Sequence, residues 1–240
     1  MNPLSLAVDG ERATLTLTRP EKRNAQDPEL WHALAEAGRS LPGSVRVVVV
    51  RGEGASFSAG LDRSQFGLLG ELGKDPDAEQ RIAGFQEGFS WLGSPDLVSV
   101  AAVQGHAIGA GFQLALACDL RVAATGTVFS MKETSLGIVP DLTGTHPLVA
   151  AVGLPRALEW CLTGRMVSAD EAYAAGLLNA VVDELDGAVE ALVAGVLASP
   201  RDAVIETTAL LQGAARRTPP EQWKAEREAQ ARVLRDLAGD

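Results

Sequence analysis

Two short runs near the start of the chain, Leu4 to Val8 and Ala13 to Thr18, flank Asp9-Gly10. Each mixes apolar and polar positions as a half-buried strand does, and the Asp-Gly pair between them predicts a hairpin. Asp27-Pro28-Glu29 reads as a helix start: an acceptor at the cap, proline at the first position, an acid near the positive end. That helix is expected to run to about Arg39. Val45 to Arg51 is a β-branched apolar run, the pattern of a central strand. Glu53 to Asp62 reads as a Gly/Ser/Ala-rich loop, Arg63 to Pro76 as a mobile segment with scattered glycines, and Asp77 to Leu92 as a helix.

The stretch from Val98 to Asp119 organises the chain. Val98 to Val103 reads as a buried strand, which passes through a turn carrying Gly105, Gly109 and Gly111 into a helix from Ala110 to Cys118. Strands are expected at Leu120 to Ala124 and Thr127 to Met131. Helices come next at about Leu142 to Val152, Pro155 to Thr163 and Ser168 to Ala175, the last opened by the capping-box pattern Ser168-Ala169-Asp170-Glu171. Leu177 to Val182 reads as a last strand. From Leu185 the chain is helical in about three pieces, ending in the charged Glu221 to Leu237 stretch. Strands alternating with helices, then a helical tail, give an α/β class, with a core at 1–184 and a helical region at 185–240.

Charge narrows the partners. A net charge of −10 over 240 residues opposes a nucleic-acid partner and an anionic membrane surface, but leaves room for an anionic small molecule held by a local basic patch. Such a patch exists in Arg19-Pro20-Glu21-Lys22-Arg23-Asn24-Ala25, a loop with three cations. Cys118 and Cys161 lie in apolar helical contexts without metal-type spacing and read as reduced core residues. With no basic-then-apolar leader and no membrane-length apolar run, the expected location is the cytoplasm.

The glycine turn before Ala110 is a place to stabilise an anion, because the first N–H groups of a helix have no partner within it. A P-loop is excluded, since no Gly-Lys-Ser/Thr stands at the helix start. A dinucleotide fingerprint is weakened: its third glycine falls on Leu114, although Glu133 stands at a tolerable distance for a ribose-binding acid. A second turn of similar build, Phe57-Ser58-Ala59-Gly60-Leu61-Asp62, comes after the Val45–Arg51 strand. If neighbouring strands bring the turns together, the amides of Leu61 and Ala110 face one oxygen. Two amides aimed at a developing oxyanion contribute roughly 3–4 kcal/mol per donor. A serine hydrolase is the rival from another class. Ser58 with Gly60 is half of a nucleophile elbow, although Ser56 stands where the first glycine belongs, and His106 or His146 with Asp62 or Asp119 would complete the set. His32 reads as an exposed helix residue. No group has metal-ligand spacing.

Phe-Ser-Ala-Gly-Leu-Asp (57–62), Gly-His-Ala-Ile-Gly-Ala-Gly-Phe-Gln-Leu-Ala-Leu-Ala-Cys-Asp-Leu-Arg (105–121) and Lys-Glu-Thr-Ser-Leu-Gly-Ile-Val-Pro-Asp (132–141) together resemble the crotonase, or enoyl-CoA hydratase/isomerase, superfamily. The likeness covers about three quarters of the chain in order, from Arg19-Pro20 to Val182. It implies a crotonase-like spiral of ββα units with a C-terminal helical trimerisation region. It implies an acyl-CoA thioester whose carbonyl lies between the amides of Leu61 and Ala110, with coenzyme A as part of the substrate and no separate cofactor or metal. Lys22, Arg23 and Ala25 would meet the CoA nucleotide, and Ser58, Ala59, Gly60, Asp62 and Gly109 would line the substrate turns. A homotrimer or dimer of trimers is the implied assembly.

The acids then set the reaction. Hydratases of the superfamily carry one glutamate three residues after the oxyanion-hole position and a second twenty residues later. Here the first position is Gln113, which cannot take a proton, and the second is Glu133. Asp141 stands where some double-bond isomerases and dehalogenases of the superfamily carry an aspartate. The resemblance therefore favours a 3-enoyl- to 2-enoyl-CoA isomerase with Glu133 as proton shuttle and Asp141 as a second acid/base or the cap of the Leu142 helix. The alternatives are a hydratase working with Gln113, and a non-catalytic acyl-CoA-binding homologue.

Overall fold

The structure is a computed structural model and describes residues 3–238. β1 (Leu4–Asp9) and β2 (Arg12–Leu17) form the antiparallel hairpin, joined by Gly10-Glu11. β2 then pairs in parallel with β3 (Val47–Gly52), β3 with β4 (Val98–Val103), β4 with β6 (Leu120–Ala124), and β6 with β9 (Ala180–Val182). A smaller sheet contains β5 (His106–Ile108), β7 (Val128–Ser130) and β8 (Val167–Ser168). β4 and β6 each hand the chain to a short strand of this second sheet and then to a helical turn. The β3 unit does the same through Ser58, which bridges Ala107. This is a repeated ββα winding, and it places the polar end of each unit on the same side of the molecule.

Alternation along the strands assigns their two faces. Val48 and Val50 enter the main core, together with Leu30 and Leu34 of α1 (Pro28–Ser40), Phe85 and Phe89 of α3 (Ala78–Ser90), and Phe112 of α4 (Ala110–Ala117). Val47 and Val49 point the other way, where Val189 and Val193 of α8 (Leu185–Leu197) cover them. The Arg46 guanidinium donates to the Leu197 and Ser199 carbonyls at the end of that helix. Beyond it lie α9 (Arg201–Ala214) and α10 (Pro219–Ala238). No described helix is long and apolar enough to cross a membrane.

Several sequence expectations change, among them the last strand, which is confined to Ala180–Val182. The segment Arg63–Pro76 contains a helix, α2 (Phe66–Leu72), with no buried residue of its own. The turn before Ala110 contains β5, and β8 appears before α7 (Ala169–Ala174); both strands are too short for periodicity to register. α5 (Thr145–Val152) begins three residues later than expected, and its cap is Gly144. Asp141 is therefore not a helix cap. Ahead of α7, Ser168 caps through Glu171 N–H as expected, and α6 (Leu154–Thr163) precedes them.

Candidate active site

The two glycine turns meet. Ser58 N–H donates to the His106 carbonyl and Ile108 N–H to the Ser58 carbonyl, at 2.8 and 3.0 Å, so the second turn is laced onto the first. At Gly60, φ is +84°, and a Cβ there would stand 2.4 Å from the Ile108 carbonyl oxygen and 3.5 Å from the Ala110 nitrogen. Only glycine permits that approach. The amides of Leu61 and Ala110 border one cavity and, among the described residues, donate to no protein acceptor.

Glu133 opens the turn after β7 and is only 5% exposed. Its Oε1 accepts from Gln113 Nε2 at 2.6 Å, whereas its buried Oε2 has no partner among the described residues. The carboxyl lies over Gly109, where a Cβ would come within 3.4 Å of Oε1. Burial pushes the Glu133 pKa above the ordinary range, the Gln113 donor pulls it down, and the nearby Asp141 charge adds to the rise. Asp141 also borders the cavity, and burial raises its pKa too.

Gln113 is not free to meet a substrate oxygen. Its own Oε1 accepts from Leu142 N–H at 2.8 Å and Gly144 N–H at 3.4 Å. Between those donors Thr143 sits at φ +69°, a costly conformation for a β-branched residue. One buried amide thus orients the Glu133 carboxyl and fastens the loop that carries Asp141. Gln86 of α3 holds the same loop through the Asp141 carbonyl, at 2.7 Å.

The basic loop divides. Asp62 accepts from Arg19 and Lys22 at 2.7 and 2.9 Å, and Arg19 also reaches Asp27. Lys22 and the Ser64 amide, followed by Arg19, hold the Asp62 carboxyl far below its usual range. Asp62 and Lys22 are therefore paired with each other and shape the loop. Arg23 borders the cavity instead, joined by Arg63, His106 and Lys132. Ala25 is buried, and its carbonyl accepts from Arg19. Ala59 and Gly60 line the cavity directly, and Gly109 lies between them and Glu133.

The hydrolase arrangement is absent. Ser58 is fully buried, donating to the Asn24 carbonyl and accepting from Gln26 Nε2. His106 Nδ1 faces Ser56 Oγ at 3.1 Å, His146 is exposed on α5, and Asp119 is bound to Ser99 and Gln212. Ser58 is a structural hydroxyl rather than a nucleophile or a substrate ligand. Both cysteines are free, and burial pushes the Cys118 thiol up to about 12. Among the described residues no acid, histidine and cysteine cluster fits a metal.

Residues 11–237 match the family profile described as enoyl-CoA hydratase/isomerase. The chain belongs to that family. It is 36% identical over 216 residues to a protein of Mycobacterium tuberculosis named probable enoyl-CoA hydratase EchA14, covering 89% of this chain and 83% of that protein. It is equally identical, over 182 residues, to 4-chlorobenzoyl coenzyme A dehalogenase-2 of an Arthrobacter species, covering 72% of this chain and 64% of that one. Among solved structures, a Thermobifida fusca YX protein in complex with acetoacetyl-CoA superposes with a TM-score of 0.93 at 46% identity, covering 98% and 96% of the two chains. These relatives bear the names of a hydratase and a dehalogenase, so membership identifies the family while the acids of the site bear on the reaction.

Sequence reasoning missed Trp31 and Phe85, which border the cavity from α1 and α3. It also missed Gln26, whose side chain joins Trp31 Nε1 to Ser58 Oγ. Trp31 and Phe85 read as ordinary core positions on amphipathic helices, and no spacing marks them as site residues.

Proposed function

We propose that the protein is an acyl-CoA double-bond isomerase converting 3-enoyl- to 2-enoyl-CoA, with Glu133 as the proton shuttle. The observation that carries this reading is the buried Glu133 carboxyl, with one oxygen tied to Gln113 and the other unpartnered among the described residues, bordering the same cavity as the Leu61 and Ala110 amides. The thioester carbonyl accepts from those two amides. Glu133 takes the C2 proton; the electron pair spreads over the dienolate and its charge rests on the thioester oxygen; the same carboxyl returns the proton to C4. Burial strengthens the base and keeps water from competing. The cations Arg23, Arg63 and Lys132 suit the phosphates of coenzyme A, which enters with the substrate. In the same reading no separate cofactor is needed, and the chain assembles as a cytoplasmic homotrimer.

A hydratase is the second reading. It is favoured by Asp141, a second carboxyl on the same cavity that could share a water with Glu133. The test offers the purified protein 3-enoyl-, 2-enoyl- and dienoyl-CoA and follows each product. Isomer without hydroxyacyl-CoA supports the first reading, hydroxyacyl-CoA supports the second, and binding without turnover rejects both.

A further inference from the structure

We propose that Thr134 is a positioning residue: with Ser130 and Lys132 it fastens the backbone on either side of Glu133 to the C-terminal end of α6, and so sets where the Glu133 carboxyl stands at the cavity. The inference rests on the reading of Glu133 as proton shuttle. The pairing of β5 with β7 ends at Ile108 and Ser130. Past that point, among the described residues, the backbone of 131–136 bonds only within its own turn. Ser135 N–H donates to the Lys132 carbonyl, Gly137 N–H to the Thr134 carbonyl and Ile138 N–H to the Glu133 carbonyl. A turn bonded only to itself leaves its place in the molecule to side chains. Met131 sits in the main core, and Gln113 holds the carboxyl tip. Neither ties the segment that follows Glu133.

Three alternate side chains supply the attachment. Ser130 Oγ donates to the Gly164 carbonyl at 2.9 Å, Lys132 Nζ to the same carbonyl, and Thr134 Oγ1 to the Cys161 carbonyl at 2.5 Å. These acceptors cluster where α6 ends. The last carbonyls of a helix have no partner within it, and here the donors that reach them bracket the acid. An ammonium at that end also meets the negative pole of the helix dipole. Lysine has three N–H groups, so this bond leaves Lys132 able to meet a phosphate as well. α6 is itself fixed, with Ala157 and Trp160 buried in the main core. Gly164, at φ +56°, lets the helix end come close: a Cβ there would lie 3.3 Å from the Met131 carbonyl oxygen. Thr134 is thus the directional tie on the far side of Glu133. A misplacement of about 1 Å at a reacting group can cost about 10²-fold in rate.

The test compares variants that keep the carboxyl. Thr134→Val preserves the side-chain shape and removes the hydroxyl. Its kcat on 3-enoyl-CoA should fall about 10- to 100-fold. Affinity for the unreactive S-butyl thioether of CoA, measured by titration calorimetry, should stay within about twofold, because only the transition state needs the acid in place. Thr134→Ser should restore kcat. In D2O, the Thr134→Val product should carry more solvent deuterium at C4 than the parental product, since a loosened carboxyl exchanges its proton before returning it. Ser130→Ala, which leaves Lys132 on the Gly164 carbonyl, should show the same split to a smaller degree and decides the matter if Thr134→Val does not fold. Parental kcat in the folded variant, or thioether affinity that falls in step with kcat, overturns the positioning role and leaves Glu133 as the shuttle wherever Glu133→Gln is impaired. Parental turnover by Glu133→Gln overturns both.

Discussion

Gln113 donates to Glu133 at 2.6 Å across the floor of the cavity, in the position where a two-carboxylate site would need a proton between the pair. The amide makes this contact without one. It supplies a fixed donor to the Glu133 carboxyl, and its carbonyl end is committed to the Leu142 and Gly144 amides. Glu133 is thereby left with a single oxygen for chemistry, which suits moving one proton between two carbons of one substrate.

Gln113→Glu tests that distinction. A carboxyl there can still accept from the Leu142 amide, but its other oxygen meets Glu133 and the pair must share a proton. Hydration of 2-enoyl-CoA should rise by about a hundredfold or more, the usual general acid–base factor. Quantifying hydroxyacyl-CoA by chromatography checks it; no gain means that the cavity cannot seat an attacking water.

The pH dependence of kcat reflects the direction of the Glu133 shift. In the proposed mechanism Glu133 works deprotonated, and burial raises its pKa above the ordinary 4.5. Isomerisation should therefore fail on the acid side at a pH above the normal glutamate range. Asp141 contributes to that rise through its charge. Asp141→Asn should move the acid limb to lower pH, and a limb that stays put would remove Asp141 from the electrostatics of the site.

Several of these relationships are invisible in the linear chain. β4 and β6 are legible to the residue, because each is a predominantly apolar run bounded by turn or polar residues. Asp27 is legible as a cap because its side chain acts locally, on Leu30 N–H. Asp141 misleads for the same reason: an acid before a helical pattern looks like a cap, but the loop 142–144 is held by Gln113, twenty-nine residues earlier. Glu133 stands out through family likeness, whereas its burial depends on Gly109 and Gln113, which local pattern does not place beside it. α2 is hidden by its glycines, which weaken helix propensity without preventing a helix here.

Glu133 should also cost stability. Its carboxyl binds a proton more tightly folded than unfolded, so stability falls as pH rises from the unfolded pKa through the folded one. Glu133→Gln removes that loss. Thermal melts should show the variant more stable than the parent at neutral pH, with the difference shrinking below about pH 4, where the unfolded carboxyl is also protonated. Equal melting at neutral pH would mean that the base is better solvated than its burial indicates.

Gly60→Ala probes the junction of the two turns. The new methyl meets the Ile108 carbonyl at 2.4 Å in a positive-φ conformation, so the Leu61 and Ala110 amides must separate. Stability should drop by about 1–3 kcal/mol. Turnover should drop about 10²- to 10³-fold, as for loss of one oxyanion donor. Unchanged kinetics in a folded variant would show that the amides do not act together.

The most direct measurement is the turnover of 3-enoyl-CoA by Glu133→Gln. The side chain keeps its size and loses only its ability to carry the proton. A fall in kcat of about 10²- to 10⁴-fold, with the variant folded, is the predicted result. Isomerisation at the parental rate would contradict the assignment of Glu133 as the shuttle.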